Sequence, residues 1–171
     1  MTTVITGQRS GYRESGPVVV AAMAADDDGA VAGMLRRCSA ATLRHRFHGF
    51  TDGMPYLNGQ LKASEVVVIA RHGALCVGLG ALAADGSGPW ELGVVVEDAW
   101  QRHGVGTRLL AALVAEAKRR ALTEIRADVL GEDAFIVGLL RRIGPVTVHV
   151  DRETITVDVQ LDGVPPGSAG R

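Results

Sequence analysis

The sequence has little cysteine, and the two cysteines follow no pattern of a known site. Cys38 and Cys76 lie far apart in the 171 residues and lack CxxC spacing, which argues against a disulfide framework and against a zinc site. The five histidines show no metal-ligand spacing with cysteine or carboxylate residues. We therefore expect no metal and a reduced compartment.

An excess of one charge and a long apolar run are also missing. The chain has 18 Lys and Arg against 19 Asp and Glu, a net charge of −1, so no general basic surface for nucleic acid is predicted. No apolar run approaches the ~20 residues of a membrane helix, and no signal peptide is expected. We predict a cytoplasmic protein with one folded domain at 17–161, a loose lead-in at 1–16 and a flexible tail at 162–171.

The rest of the chain is organised around residues 90–118. This stretch begins with an apolar run at 92–96, typical of a strand buried on both faces because polar residues do not alternate in it. Gly104 and Gly106 follow, and then apolar residues at helical spacing predict a long helix. The first N–H groups of a helix have no intrahelical partner and the helix dipole is positive there, so this turn predicts a phosphate site.

Two common phosphate-binding motifs fit this turn poorly. A P-loop needs a lysine after its last glycine, and no lysine follows Gly104 or Gly106. The dinucleotide fingerprint GxGxxG matches those two glycines, and Glu124 lies about 20 residues on, where a ribose-binding acid belongs. Its third glycine is Leu109, however, and several predicted strands precede the turn. Neither motif is therefore favoured.

The pattern QxxGxG, formed by Gln101, Gly104 and Gly106, resembles the (Q/R)xxGx(G/A) pyrophosphate loop of the GNAT N-acetyltransferase superfamily. Residues 43–49, LRHRFHG, resemble a segment of the GNAT domain of bacterial protein-lysine acetyltransferases. The resemblance implies acetyl-CoA as co-substrate, strand backbone groups that pair with pantetheine, and loop amides that hold the pyrophosphate. The cofactor-binding residues implied are Val94, Val95, Val96, Gln101, Arg102, His103, Gly104, Val105, Gly106, Thr107 and Asp133.

The order of predicted elements agrees with this family. Strand and helix patterns predict three sequential strands before the loop that contains Gly104 and Gly106, which we call the glycine loop. After the long helix that follows this loop, they predict a parallel strand, a further helix and a hairpin. We expect a single α+β GNAT-like domain with a central mixed, mostly antiparallel sheet flanked by helices. Asp26, Asp27 and Asp28 would cap the first helix. The predicted strands are 17–23, 66–70, 75–84, 91–96, 124–130, 146–150 and 154–161, the other helices 28–38, 40–46 and 132–142, with a surface loop at 51–63.

Glu91 is the candidate general base. It is the one carboxylate of the strand 91–96 and precedes Gln101 by ten positions, the spacing at which the protein-lysine group carries its general-base glutamate. Burial at a strand end would favour its uptake of a proton, whereas the plainer alternative is a solvent-exposed strand start. By the same resemblance, Gly93 would supply a β-bulge that bends this strand away from its parallel neighbour.

The resemblance implies transfer of an acetyl group to a primary amine by direct attack, with a protein lysine as the acceptor. A small-molecule amine acetyltransferase and a non-catalytic acyl-CoA-binding regulatory domain are the alternatives, and a homodimer is left open. Leu140 stands where many family members have a tyrosine that protonates the leaving thiolate. Water or Tyr56 would then have to supply that proton. Asp133 replaces an asparagine of the family and can no longer donate a hydrogen bond.

Overall fold

The computed structural model describes residues 16–47, 59–84, 86, 88–130, 134–151 and 154–161. They form a seven-stranded sheet in the order β1-β2-β3-β4-β5-β7-β6. The strands are β1 (Val18–Ala22), β2 (Val66–His72), β3 (Leu75–Ala83), β4 (Trp90–Val96), β5 (Glu124–Leu130), β6 (Val146–Asp151) and β7 (Thr154–Gln160). The helices are α1 (Asp28–Arg37), α2 (Ala40–Phe47), α3 (Gln60–Ala63), α4 (Val105–Arg119) and α5 (Ala134–Leu140), with a 3-10 turn at Asp98–Trp100.

Most neighbouring strands in the sheet are antiparallel. Strands β1 to β4 form one antiparallel run, and β5, β7 and β6 form another. The two runs meet where β4 and β5 pair in parallel, because α4 carries the chain back to the end of the sheet at which β4 began. The predicted single α+β domain with a mixed, mostly antiparallel sheet is confirmed.

Helix α4 lies on one face of the sheet through a stripe of apolar side chains. Val105, Leu109, Leu113 and Ala117 recur at helical spacing and are each at most 1 % exposed. They pack against β2, β3 and β4. Burial of one such leucine contributes about 1.5–3 kcal/mol, so this stripe fixes α4, and with it the glycine loop at its N-terminal end.

Helices α1 and α2 cover the opposite face of β2, β3 and β4. Their buried residues form a second cluster with side chains from those strands. Its members are Val31, Met34, Leu35, Leu43, Phe47, Leu61, Ile69, Cys76, Leu79, Ala81 and Val95. The part of the sheet formed by β2, β3 and β4 is therefore covered by α4 on one face and by α1 and α2 on the other.

The predicted capping role of the acid triplet is wrong for Asp27. This residue precedes α1, but its side chain makes no capping hydrogen bond to the helix. Its Oδ2 accepts the N–H of Ala24 at 2.9 Å, and its Oδ1 pairs with the guanidinium of Arg71 on β2. The residue is only 7 % exposed. The carboxylate of Asp27 therefore pairs with Arg71, a residue distant in sequence, and the local pattern of a helix cap does not predict such a pair.

Other predicted boundaries agree with the structure to within a few residues. Strand β5 has the predicted range, and the closing hairpin is present as β6 and β7. Strand β2 continues past the predicted turn to His72, after a register shift between Ala70 and Arg71. Residues 60–63, predicted as loop, form α3. The rest of that loop, with Tyr56, and residues 131–133, with Asp133, lie outside the described residues. No helix in the described ranges is long and apolar enough to cross a membrane.

Candidate active site

Strands β4 and β5 run side by side at their first residues and then part. Their parallel pairing is limited to Trp90 with Ile125 and Glu91 with Arg126, although β4 continues to Val96 and β5 to Leu130. Beyond that point each strand pairs only on its other edge, β4 with β3 and β5 with β7. We call the gap between 92–96 and 127–130 the β4–β5 opening. An extended ligand with amide groups can pair with its backbone edges as an added strand.

Both faces of β4 are covered by helices, as predicted, although the cover is incomplete. Leu92 and Val95 are buried, but Val94 and Val96 are only half-buried, because β5 no longer flanks the strand there. Leu92, Val94 and Val96 pack in the α4 cluster, whereas Val95 belongs to the cluster with α1 and α2. By strand alternation, Glu91 therefore shares the α2 face with residue 93 and Val95.

Gly93 makes room for Arg46 of α2. A Cβ on Gly93 would overlap the Arg46 guanidinium and would lie 2.6 Å from its Nε. The predicted β-bulge is wrong, since the register with β3 runs without a shift through residues 91–96. The strands part without a bulge in that ladder, and the missing side chain instead admits a guanidinium onto the surface of β4.

The glycine loop turns β4 into α4 through two residues in the left-handed region. Arg102 has a φ of 60° and Gly104 a φ of 78°, a conformation that glycine adopts without strain. A Cβ on Gly104 would meet nothing within 4 Å, so backbone conformation, not space, favours glycine there. The N–H of Arg108 is bonded to the Gly104 carbonyl at 3.1 Å. The N–H groups of the first helical residues, Val105, Gly106 and Thr107, precede that ladder and can bind an anion.

The Gln101 side chain ties the loop to neighbouring elements. Its Nε2 donates to the Val96 carbonyl at 3.0 Å and to Thr42 Oγ1 of α2 at 3.0 Å. Its backbone N–H is bonded to the Asp98 carbonyl at 3.3 Å. Gln101 therefore ties the end of β4 to α2, which leaves the anion contacts to the backbone amides that follow it.

Asp98 fastens the same turn to the start of α2. Its carboxylate accepts hydrogen bonds from the Ser39 N–H at 2.8 Å, from Ser39 Oγ at 2.6 Å and from Thr42 Oγ1 at 2.9 Å. Burial alone would raise the pKa of Asp98, but these hydrogen bonds outweigh it and hold the pKa below its usual value. Ser39 also caps α2, because its Oγ accepts the Thr42 N–H at 3.2 Å. We call Ser39, Thr42, Asp98 and Gln101 the α2 clamp.

An ion pair joins the end of α1 to the same region. Arg37 Nη2 lies 2.9 Å from Glu97 Oε2 and donates to the Cys76 carbonyl at 2.7 Å. The hydrogen bond to Glu97 is the main cause that raises the pKa of Arg37. Glu97 is only 8 % exposed and directly follows β4. Together with the α2 clamp, this pair fixes the α1–α2 corner against the entrance of the glycine loop.

Glu91 lies at the last pair between β4 and β5. Its side chain is exposed, so the predicted burial at a strand end is wrong and the plainer expectation of an exposed strand start is confirmed. Its register partner Arg126 is bound by Asp158 of β7, with Nε to Oδ1 at 2.6 Å and Nη2 to Oδ2 at 3.1 Å. A carboxylate open to solvent therefore stands at the closed end of the β4–β5 opening, where the two strands begin to part.

Asp158 makes the fold sensitive to acid. The hydrogen bond from Arg126 is the main cause that lowers the pKa of Asp158, and the residue is 7 % exposed. A carboxyl with a lowered folded pKa contributes stability that is present above the ordinary aspartate value of about 3.9 and is lost as pH falls through the folded value.

We therefore expect Asp158→Asn to lower the free energy of unfolding by about 1–3 kcal/mol at pH 7 and to change it much less at pH 3. Urea unfolding at both pH values measures this difference. Asp151→Asn, at an exposed position of the same sheet face, is the matched control. An equal loss for Asp158→Asn at both pH values would contradict the assignment.

The family model described as acetyltransferase (GNAT) family matches residues 8–144, which is most of the chain. This chain belongs to the GNAT acetyltransferase family. As a GNAT acetyltransferase it is an acyltransferase that uses acetyl-CoA as co-substrate. The glycine loop and the β4–β5 opening suit that molecule, because the first offers N–H groups to a pyrophosphate and the second offers strand edges to the pantetheine amides.

The fold of this GNAT acetyltransferase is similar to solved structures. The GNAT domain of S. lividans PAT superposes with a TM-score of 0.74 at 19% identity, covering 87% of this chain and 93% of that one. Salmonella typhimurium yncA, solved with acetyl-CoA, gives 0.70 at 18%, with 91% and 100% covered. The Escherichia coli ribosomal-protein-S18-alanine N-acetyltransferase gives 0.69 at 15%, with 91% and 99% covered. Among curated proteins, none matches the chain.

The structure also shows where other side chains of this GNAT acetyltransferase lie. Leu140 is 1 % exposed and packs in the core, so it has no acid to offer and its position is closed to solvent. Arg108, in the first turn of α4, donates to the Val18 carbonyl of β1 at 2.9 Å. The His103 ring lies 2.7 Å from the Gln101 carbonyl, within the loop. Among the described residues, no group of three His, Cys, Asp or Glu could hold a metal ion.

Proposed function

We propose that this GNAT acetyltransferase transfers the acetyl group of acetyl-CoA to a lysine side chain of a protein, with Glu91 as the general base. The observation that supports this most is the position of Glu91, an exposed carboxylate at the last β4–β5 pair. An amine that approaches this closed end of the opening from the α2 face meets the carboxylate. A general base must reach the proton that it removes, directly or through one water.

In the proposed reaction, the neutral amine attacks the thioester carbonyl carbon at the opening. Glu91 takes the proton that the amine loses, directly or through a water. The carbonyl then re-forms, the C–S bond breaks, and CoA leaves as a thiolate. The N–H groups of Val105, Gly106 and Thr107 hold the pyrophosphate, and the free edge of β4 orients the pantetheine, so that binding positions the thioester beside Glu91.

The state of the two cysteines supports direct attack over an acetyl-cysteine intermediate. Burial raises the pKa of Cys38 to about 12 and also raises the pKa of Cys76. The thiolate, not the thiol, is the nucleophile in acyl transfer. At neutral pH both cysteines are therefore thiols and unsuited to take the acetyl group.

The sheet face beyond Glu91 favours a cationic acceptor. Glu91 and Arg126 are register partners, so alternate residues of β5, and their partners on β7 and β6, share the face of Glu91. Among the described residues of this face, acids outnumber cations, which favours a lysine-bearing partner over an anionic small molecule. The polar residues of this face are Glu124, Arg126, Asp128, Thr147, His149, Asp151, Thr154, Thr156, Asp158 and Gln160.

A panel of acceptors tests the proposal. The protein is incubated with acetyl-CoA and lysine peptides with basic flanks, the same peptides with Nε-acetyl-lysine, or small amines, and the released CoA thiol is followed. We expect release that requires the free lysine. Release with small amines alone would favour the small-molecule alternative. Acetyl-CoA binding without release for any acceptor would favour a regulatory domain. The cytoplasmic location and the domain limits 17–161 stay predictions from the sequence.

A further inference from the structure

We propose that Arg46 is a second catalytic residue, whose guanidinium stabilises the negative charge that develops on the thioester oxygen and then on the departing thiolate. This inference rests on the proposed function, because it requires acetyl-CoA in the β4–β5 opening. It assigns to a side chain of α2 the stabilisation of this negative charge, a role that neither the glycine loop nor the candidate base supplies.

The position of Arg46 is the first observation. Its guanidinium occupies the space where a Cβ on Gly93 would be, so the charged group lies directly on the backbone surface of β4. Gly93 is two residues past Glu91 on the same face, a distance of about 7 Å along a strand. It is also the second residue after the last β4–β5 pair. The guanidinium therefore lies at the start of the opening, beside the candidate base.

The second observation is how α2 is held in place. The helix packs against β4 and also reaches β5, so it spans the opening on one face. The α2 clamp fixes its first turn through Thr42, which Gln101 and Asp98 both contact. Arg46 follows Thr42 by four residues and so lies on the same side of the helix. The loop that binds the pyrophosphate and the helix that carries Arg46 are thus one connected unit.

The third observation is that, besides the uncharged backbone N–H groups of β4, no other described side chain around the opening is suited to this task. Leu140 is buried and apolar. The guanidinium of Arg126 makes two hydrogen bonds to Asp158. A thiolate that leaves without an acid nearby needs a positive charge, and a guanidinium offers five N–H donors and stays protonated at all working pH values.

The chemistry balances without a further reactant. As the amine attacks, the carbonyl π electrons move to oxygen, and the guanidinium lies near that oxyanion. When the carbonyl re-forms, the C–S bond pair goes to sulfur, and the same positive charge favours the thiolate until it takes a proton from solvent. Glu91 passes the proton of the amine to solvent, which restores the base and balances the proton that the thiolate takes up. A nearby cation also disfavours the ammonium form of the acceptor, which raises the share of attacking amine.

Arg46→Ala tests the role by chemical rescue. We expect kcat to fall by roughly 10²-fold, the cost of removing one such donor, while the KM for acetyl-CoA changes less than about threefold. Guanidinium ion, added far below denaturing concentrations, should restore part of the rate in this variant and none in the parent. Arg46→Lys should keep more activity than Arg46→Ala, because it retains the charge. Arg44→Ala, at an exposed position of the same helix, is the control and should behave like the parent.

Gly93→Ala gives an independent test from the other side of the contact. The three atoms nearest to the added Cβ all belong to the flexible end of Arg46, and Gly93 is outside the left-handed region, so the fold should tolerate alanine. We expect kcat to fall about tenfold or more because the guanidinium is displaced. In the Arg46→Ala background, the same change should alter kcat less than about twofold, since coupled residues are not additive.

The outcomes separate this inference from the proposed function. A raised KM for the acceptor with unchanged kcat would make Arg46 a binding residue and overturn the inference. A loss of kcat in Arg46→Ala that guanidinium ion does not rescue and that is not coupled to Gly93→Ala would give Arg46 a packing role on Phe47, whose ring lies 5.2 Å from the Arg46 guanidinium carbon. Either result would leave acetylation by the parent intact. Absence of turnover by the parent with every acceptor would instead refute the proposed function.

Discussion

Glu91→Gln should lower kcat by roughly 10²–10³-fold at neutral pH and leave the affinity for acetyl-CoA near that of the parent. The change keeps the shape of the side chain and removes its ability to take a proton. Because the side chain is exposed, the substitution should not disturb the fold. Steady-state turnover and acetyl-CoA titration on the same protein samples measure both quantities.

The pH dependence gives this prediction a second readout. At higher pH the acceptor amine increasingly arrives neutral, so the deficit of Glu91→Gln should shrink while the parent reaches a plateau. Glu65→Gln, an exposed glutamate next to β2, controls for the change in net charge. Equal turnover of Glu91→Gln and parent at pH 7 would remove Glu91 from the mechanism.

Gly104→Glu should weaken acetyl-CoA binding by about 10²-fold or more. The substitution places a carboxylate where the loop turns into α4, beside the N–H groups proposed to hold the pyrophosphate, and like charges repel there. It also puts a side chain on a residue with a φ of 78°, which costs about 1–2 kcal/mol of stability. Calorimetric titration with acetyl-CoA and thermal unfolding separate these two effects.

Gly86→Glu is the matched control for this variant. Gly86 has a φ of 59°, and a Cβ there would also meet nothing within 4 Å, but it lies in the turn between β3 and β4, away from the loop. Both variants should lose similar stability, and only Gly104→Glu should lose acetyl-CoA. A parent protein at a hundredfold excess of ligand over Kd should gain about 2.7 kcal/mol. Equal ligand affinity for the two glutamate variants would show that the glycine loop does not hold the pyrophosphate.

The parts of the site that sequence could predict are those encoded by neighbouring residues. The strand before Gln101, the two glycines and the amphipathic helix after them follow one another within the printed sequence, and each has a local pattern. The pairing of β2 with β3, of β3 with β4 and of β6 with β7 followed from strands joined by short turns, which place sequential strands side by side. The element order therefore predicted both the fold and the place of the loop.

Contacts between distant residues could not be predicted in this way. Asp98 meets Thr42 across 56 residues, and an aspartate that ends a strand has the same local pattern whether solvent or a helix start binds it. The sequence does contain one signal for this contact, namely Ser39 and Thr42 at the start of α2. Their hydroxyl groups still need an acceptor after Ser39 has made its cap bond. Arg37 and Glu97 form a similar long-range pair.

Gly93 shows how a local pattern can mislead. A glycine within a strand is typical of a bulge or of a close approach by another group, and the sequence does not say which. The structure has the second arrangement, with an unbroken register to β3 and the Arg46 guanidinium over the glycine. The exposure of Glu91 could not be read from its apolar neighbours either, because it depends on where β5 leaves β4.

Hydrogen–deuterium exchange with and without acetyl-CoA tests the central claim most directly, since that claim places the ligand between β4 and β5 with its pyrophosphate at the start of α4. We predict that saturating acetyl-CoA slows exchange of the amides at 93–96 and 104–107, while those in the β2–β3 hairpin turn at 73–74 exchange as before. Slowed exchange confined to other segments, under conditions where a thermal shift proves binding, would contradict the account.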